Sequence, residues 1–188
     1  MARLNKLFLV LGKKGSGKTY YTLHNVIEPY LKGFPSKKIL VYNTDDHMDY
    51  RDVPEVEISE LERWTGAGLY RVCSRETVDF FHAVNQHVWN GLLICEDASK
   101  YITKNMQKSV WNSILDSKQH NLDIVMQFHG FAACPPEVLR QADCITMFKC
   151  DNPVYRRGDL VEYDRVAEAW QQVMTSRQPW PHRTVQLT

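Results

Sequence analysis

The chain has 188 residues, 44% of them hydrophobic, enough to build one well-cored domain with little left for a second. Lysine and arginine total 23 against 22 aspartates and glutamates, a net charge of +1, so no strong field draws the whole surface toward nucleic acid, and any DNA contact has to be local. Five cysteines without a C-x-x-C pair, no secretory leader ahead of the first strand, and apolar runs far below the roughly 20 residues of a membrane span point to a soluble, cytoplasmic-type protein with reduced thiols.

The first predicted element is Lys6-Leu7-Phe8-Leu9-Val10-Leu11, a short continuous apolar run that ends at a glycine, as a strand buried on both faces does. Gly12-Lys13-Lys14-Gly15-Ser16-Gly17-Lys18-Thr19 follows directly. Its glycines let successive backbone N–H groups, with the N-terminus of the next helix, surround phosphate oxygens. Lys18 then reaches the terminal phosphates of a nucleotide such as ATP, and the Thr19 hydroxyl ligates Mg2+. Gly12, Gly15, Ser16, Gly17, Lys18 and Thr19 are therefore the predicted nucleotide-binding residues. Tyr20, Leu23, Val26, Ile27 and Tyr30 repeat at helical spacing until Gly33-Phe34-Pro35-Ser36 breaks the pattern.

Residues 39–42 form a second buried strand that runs into Asn43-Thr44-Asp45-Asp46, and residues 69–73 a third. Ser74 stands where a helix cap belongs, and Val78, Phe81, Val84 and Val88 line one face of the helix that follows, which Asn90-Gly91 ends. Leu92-Leu93-Ile94-Cys95 is the fourth strand and terminates in Glu96-Asp97. Ligands of parallel sheets sit at the carboxyl ends of strands, so one of these carboxylates fits the water shell of Mg2+ and the other the activation of an attacking water.

Val110, Ile114 and Leu115 mark a helix to about Lys118, and Leu122-Asp123-Ile124-Val125-Met126-Gln127 the fifth strand. Gln127 emerges at the same sheet edge and suits a γ-phosphate sensor. Pro135-Pro136 opens a short helix through Arg140, and residues 144–148 form the sixth strand. After a polar hinge at Asp151-Asn152-Pro153, a final amphipathic helix carries Leu160, Val166, Ala169, Trp170 and Val173. Residues 178–188, with two prolines and no periodicity, read as an extended arm or a frayed terminus. The division that results is an ATPase core over residues 1–150, a helical extension over 151–177 and a tail over 178–188. Strands that alternate with helices at this spacing predict an α/β single domain with a doubly wound, mainly parallel sheet. The seven histidines are scattered, so no metal site beyond Mg2+ is indicated.

Taken together, the phosphate loop, the acidic strand end at Glu96-Asp97 and the strand ending in Gln127 resemble the FtsK/HerA superfamily of ring-forming DNA-pumping ATPases. The similarity is greatest to the small genome-packaging ATPases of membrane-containing icosahedral viruses, with the zonula occludens toxin-like phage proteins as neighbours. It covers about residues 5–150 and is specific by combination, since the loop is common to all P-loop proteins. The resemblance implies an additional-strand, RecA/FtsK-like topology. It also implies ATP hydrolysis coupled to translocation of double-stranded DNA, a ring that is a hexamer, a capsid vertex protein as docking partner, and a location in the host cytoplasm or on the virion.

By the same resemblance, Lys18 and Thr19 carry the phosphates and Mg2+, Glu96 and Asp97 the metal and water roles, and Gln127 the sensor role. The pair departs from the family order, which places Asp before Glu, so the resemblance does not say which of the two is the base. Ring ATPases complete the active site with a cation from the neighbouring subunit, for which Arg140 and Lys118 are the candidates. Lys100, Lys104 and Lys108 are candidates for sequence-independent DNA phosphate contacts. Competing readings are a small-molecule or nucleotide kinase, against which Arg156-Arg157 is the only arginine pair available for a lid, a filamentous-phage assembly ATPase, and a nucleotide-binding scaffold without turnover.

Overall fold

A computed structural model describes residues 5–106, 108–116, 119–151, 154, 158 and 160–187. Seven strands, β1 (Leu7–Leu11), β2 (Lys38–Asn43), β3 (Gly68–Cys73), β4 (Gly91–Cys95), β5 (Leu122–Phe128), β6 (Cys144–Phe148) and β7 (His182–Gln186), form one sheet in the order β3-β2-β4-β5-β1-β6-β7. β2 pairs in parallel with β3 and β4, and β1 in parallel with β6, whereas β7 runs antiparallel to β6. Every residue of β4, β5 and β6 is buried, the signature of strands covered on both faces. The order inserts β5 between the strand that feeds the phosphate loop and the strand that ends in Glu96-Asp97, which is the additional-strand topology.

Six helices accompany the strands among the described residues: α1 (Lys18–Tyr21), α2 (Glu28–Gly33), α3 (Thr77–His87), α4 (Lys108–Asp116), α5 (Pro136–Arg140) and α6 (Tyr163–Thr175). A π-helical stretch, Thr22–Ile27, joins α1 to α2. Among the described residues no helix is long and apolar enough to cross a membrane.

The chain divides into two compact units. The first is built mainly from Thr19–Glu96 and Asn105–Ile124. Its core stacks Tyr42 on Phe80 with ring centroids 3.8 Å apart, and Phe80 meets Phe81 edge to face. Buried Arg71 on β3 pairs with Glu55 at 2.7 Å and Asp46 at 2.8 Å, while Val56 N donates to Arg71 O, so the loop after β2 is fastened to the sheet. The Arg71 hydrogen bond holds the Asp46 carboxyl below its usual range.

The second unit comprises Lys6–Lys18, Asp97–Lys104 and Val125–Thr188. Asp143 ties its strand ends together: its carboxylate accepts from Leu7 N at 2.7 Å, and its carbonyl accepts from Leu187 N at 2.8 Å.

Three local expectations change. The tail holds a seventh strand, registered Phe148↔His182 through Cys144↔Gln186, whose only buried residue is Val185. Ser74 does not cap α3; its Oγ accepts from Glu76 N, and the helix starts at Thr77. Leu160 lies ahead of α6, which begins at Tyr163 after Glu162 takes a left-handed backbone. None of the five cysteines forms a disulfide.

Candidate nucleotide site

The loop after β1 is held open by its neighbours. Gly12 N donates to Phe128 O at 3.1 Å and Lys13 N to Lys149 O at 2.9 Å, which carries the sheet's ladder one step past β1. A Cβ on Gly12 would stand 2.6 Å from both Phe148 Cβ and Ser16 Oγ, so only glycine fits there. Gly15 and Gly17 have φ of +74° and +95°, the left-handed region in which a side chain is strained. The buried Ser16 hydroxyl has no hydrogen-bond partner in the structure. Lys18 is buried as well, and its ammonium donates to Gly12 O at 2.7 Å and Lys13 O at 3.1 Å. A buried cation that folds back on the carbonyls of its own loop, beside an unsatisfied hydroxyl, fits the triphosphate of a nucleotide, whose oxygens would satisfy both.

In the other unit, Thr19, the second residue of α1, donates its hydroxyl to Glu96 Oε1 at 2.7 Å. Glu96 is 5% exposed, and its main-chain N–H continues the β4–β2 ladder by donating to Tyr42 O at 2.9 Å. The second carboxylate oxygen, Oε2, accepts from Tyr50 OH at 3.1 Å. Tyr50 is fully buried at the end of a short helical turn, Met48–Tyr50, on the loop that Arg71 fastens down. Thr19 and Glu96 thus form an oxygen pair of the kind that could hold a hydrated Mg2+. No cluster of three or more His, Cys, Asp or Glu arranged for a metal occurs among the described residues, and this mode of magnesium binding requires none.

Asp97 takes a different direction. Its backbone is left-handed (φ 49°, ψ 44°), and its side chain pairs with Lys100 Nζ and with His129 Nε2, each at 2.7 Å. Ser99 Oγ accepts from His129 N at 3.0 Å, so the turn after β4 and the end of β5 are joined at this carboxylate. Gln127 is fully buried at the end of β5. Arg140 is the exposed last residue of α5. Lys104 and Lys108 are exposed, whereas Lys100 is committed to Asp97. Lys118, Arg156 and Arg157 lie outside the described residues.

The sequence reading did not include Tyr50 and His129. Tyr50 meets Glu96 across 46 positions, and no spacing in the chain signals that contact. His129 is within reach of sequence reasoning, because it follows directly on β5, two residues after Gln127.

The glycine loop between strand and helix, with the extra strand between β1 and β4, defines an α/β protein of the P-loop nucleoside triphosphatase fold. No protein-family model and no curated protein matches the chain. Among solved structures it is similar to the genome packaging NTPase B204 from Sulfolobus turreted icosahedral virus 2 in complex with ATP-gammaS, with a TM-score of 0.72 and 19% identity over 98% of this chain and 93% of that one. It is also similar to B204, the DNA-packaging ATPase from Sulfolobus turreted icosahedral virus, at TM-score 0.70 and 16% identity over 100% and 94%. The Legionella pneumophila ATPase DotB matches at TM-score 0.53 and 10% identity, over 93% of this chain and 52% of that chain.

Proposed function

We propose that the chain is an ATP-hydrolysing motor that translocates double-stranded DNA and packages a viral genome into a preformed capsid. The observation that carries the reading is the Thr19–Glu96 hydrogen bond directly after the glycine loop, in a chain that matches two proteins named as packaging NTPases along almost its whole length.

In this reading the backbone N–H groups of residues 15–18 and the Lys18 ammonium bind the β- and γ-phosphates. Thr19 and, through water, Glu96 would hold Mg2+, which when bound would supply charge neutralisation for the phosphates. Glu96 is buried between Thr19 and Tyr50, whereas the Asp97 side chain is 24% exposed and reaches solvent, so Asp97 is the better base: it takes the proton of the attacking water once its pairing with His129 and Lys100 loosens. Gln127 senses the γ-phosphate, and Arg140 of an adjacent subunit supplies charge to the transition state in a hexameric ring. Lys104 and Lys108 contact DNA phosphates without reading sequence. The ring works in the host cytoplasm, docked on a capsid vertex protein, and stays with the virion.

The test is phosphate release from Mg-ATP without an acceptor, combined with native mass in the presence and absence of DNA. Acceptor-independent hydrolysis that Lys18→Ala and Glu96→Gln abolish, in a ring-sized assembly, supports the reading. Transfer of the phosphoryl group to a small metabolite by a monomer would sink it.

A further inference from the structure

The tail that pairs with β6 also brings an aromatic side chain to the phosphate loop. The register Phe148↔His182 fixes the start of β7, and the two rings stack with centroids 5.2 Å apart. Immediately before this pair the chain runs Gln178-Pro179-Trp180-Pro181. A Cβ on Gly17 would stand 3.4 Å from Trp180 Cβ and Cγ, so the tryptophan sits against the loop residue that precedes Lys18.

Trp180 is nevertheless 65% exposed, so the contact with Gly17 leaves most of the ring uncovered. Its φ is +48°, a costly conformation for a bulky residue and one that the following Pro181 disfavours further. Strain of this kind persists where the surroundings enforce it, and it concentrates at ligand clamps. Here the chain is held just beyond the residue, where His182 pairs with Phe148 at the start of β7. The result is a solvent-facing indole beside the glycine loop, and if that loop takes the phosphates of a nucleotide, this is the place and the chemistry for stacking its heterocyclic base.

We propose that Trp180 is the stacking platform for the base of the nucleotide whose phosphates occupy the Gly12–Thr19 loop. The inference rests on the phosphate-binding reading of that loop and adds a base-binding residue to it. Stacking uses the π-face common to all bases, so Trp180 supplies affinity for nucleotides over bare polyphosphate and little discrimination among bases.

Calorimetric titration with Mg-ATP and with Mg-tripolyphosphate separates the possibilities. Trp180→Ala is expected to weaken ATP about tenfold and leave tripolyphosphate within twofold, and Trp180→Phe to recover most of the ATP affinity. Should Trp180→Ala fail to fold, the wild-type protein still decides: ATP quenches tryptophan emission and tripolyphosphate does not, and Trp180→Phe removes the quench. Parallel loss of both ligands would make the residue a buttress of the loop and overturn the inference, as would unchanged ATP affinity or equal quenching by both ligands. A wild-type protein that binds neither ligand would remove the phosphate-loop reading itself, an outcome distinct from the failure of Trp180 alone.

Discussion

Thr19 donates its hydroxyl hydrogen to Glu96 Oε1 across 2.7 Å, joining the first residue after the buried loop lysine to the end of a strand 77 positions away. The bond fixes which member of the acidic pair faces the loop's helix. Glu96 is turned to Thr19 and Tyr50, and Asp97 to His129 and Lys100. The inverted Glu-Asp order thus sends the two carboxylates to different partners, and the proposed division of labour gives the metal to the first and the attacking water to the second.

Tyr50 is a positioning residue for Glu96. Tyr50→Phe should lower kcat for ATP hydrolysis roughly 10-fold, the effect of losing an outer partner of a metal-side ligand, with KM for ATP little changed. Steady-state kinetics at saturating Mg2+ checks this, and an unchanged kcat would contradict it.

Asp97 and His129 should separate in a similar assay. Asp97→Asn should reduce hydrolysis on the order of 100-fold or more while nucleotide binding persists, as for loss of a general base. His129→Ala keeps the carboxylate and removes one of its partners, so its loss should be smaller. The same deficit in both variants would mean that the ion pair, and not the base, is what matters.

Gly12 and Gly15 should differ in cost. Gly12→Ala drives a methyl to 2.6 Å from Phe148 Cβ and should lower stability by about 1–3 kcal/mol, with nucleotide binding lost. Gly15→Ala meets nothing within 4 Å and carries only the strain of its left-handed backbone, about 1–2 kcal/mol. Denaturant melts of the two variants, read beside ATP titrations, check the ranking in binding: Gly12→Ala loses more.

The first six strands were legible because each is a short apolar run closed by a glycine or a polar turn, with Glu96 directly after one and Gln127 near the end of another. β7 was not, since its edge position buries Val185 alone and gives no alternation to read. The π-helical stretch Thr22–Ile27 escaped for another reason: its apolar spacing reads like that of an α-helix. The insertion of β5 between β1 and β4 came from resemblance, because strand order leaves no mark on the periodicity of a single chain. Tyr50 and Trp180 act through contacts that close only in the folded chain.

Alkaline pH should destabilise the protein through its thiols. Burial pushes Cys144 from 9.0 up to about 11, against a smaller opposing effect of Lys6. The folded state thus favours the neutral thiol; this stabilisation is complete below pH 9 and is lost as pH rises from 9 to about 11. Buried Tyr42, raised from 10.0 to about 12, adds a loss that starts a unit higher. Melting temperatures at pH 8 and pH 10.5 should show a drop in the wild type that Cys144→Ala reduces without abolishing. An identical drop in the variant would contradict the assignment to Cys144.

The most direct test of the motor reading is the steady-state rate of ATP hydrolysis with and without double-stranded DNA, at low and then raised salt. A DNA-coupled motor predicts a hydrolysis rate that rises several-fold with DNA of any sequence and a stimulation that fades as salt displaces phosphate contacts, with Lys18→Ala inactive throughout. Hydrolysis indifferent to DNA at every salt concentration, or phosphate that appears only on a small-molecule acceptor, would contradict it.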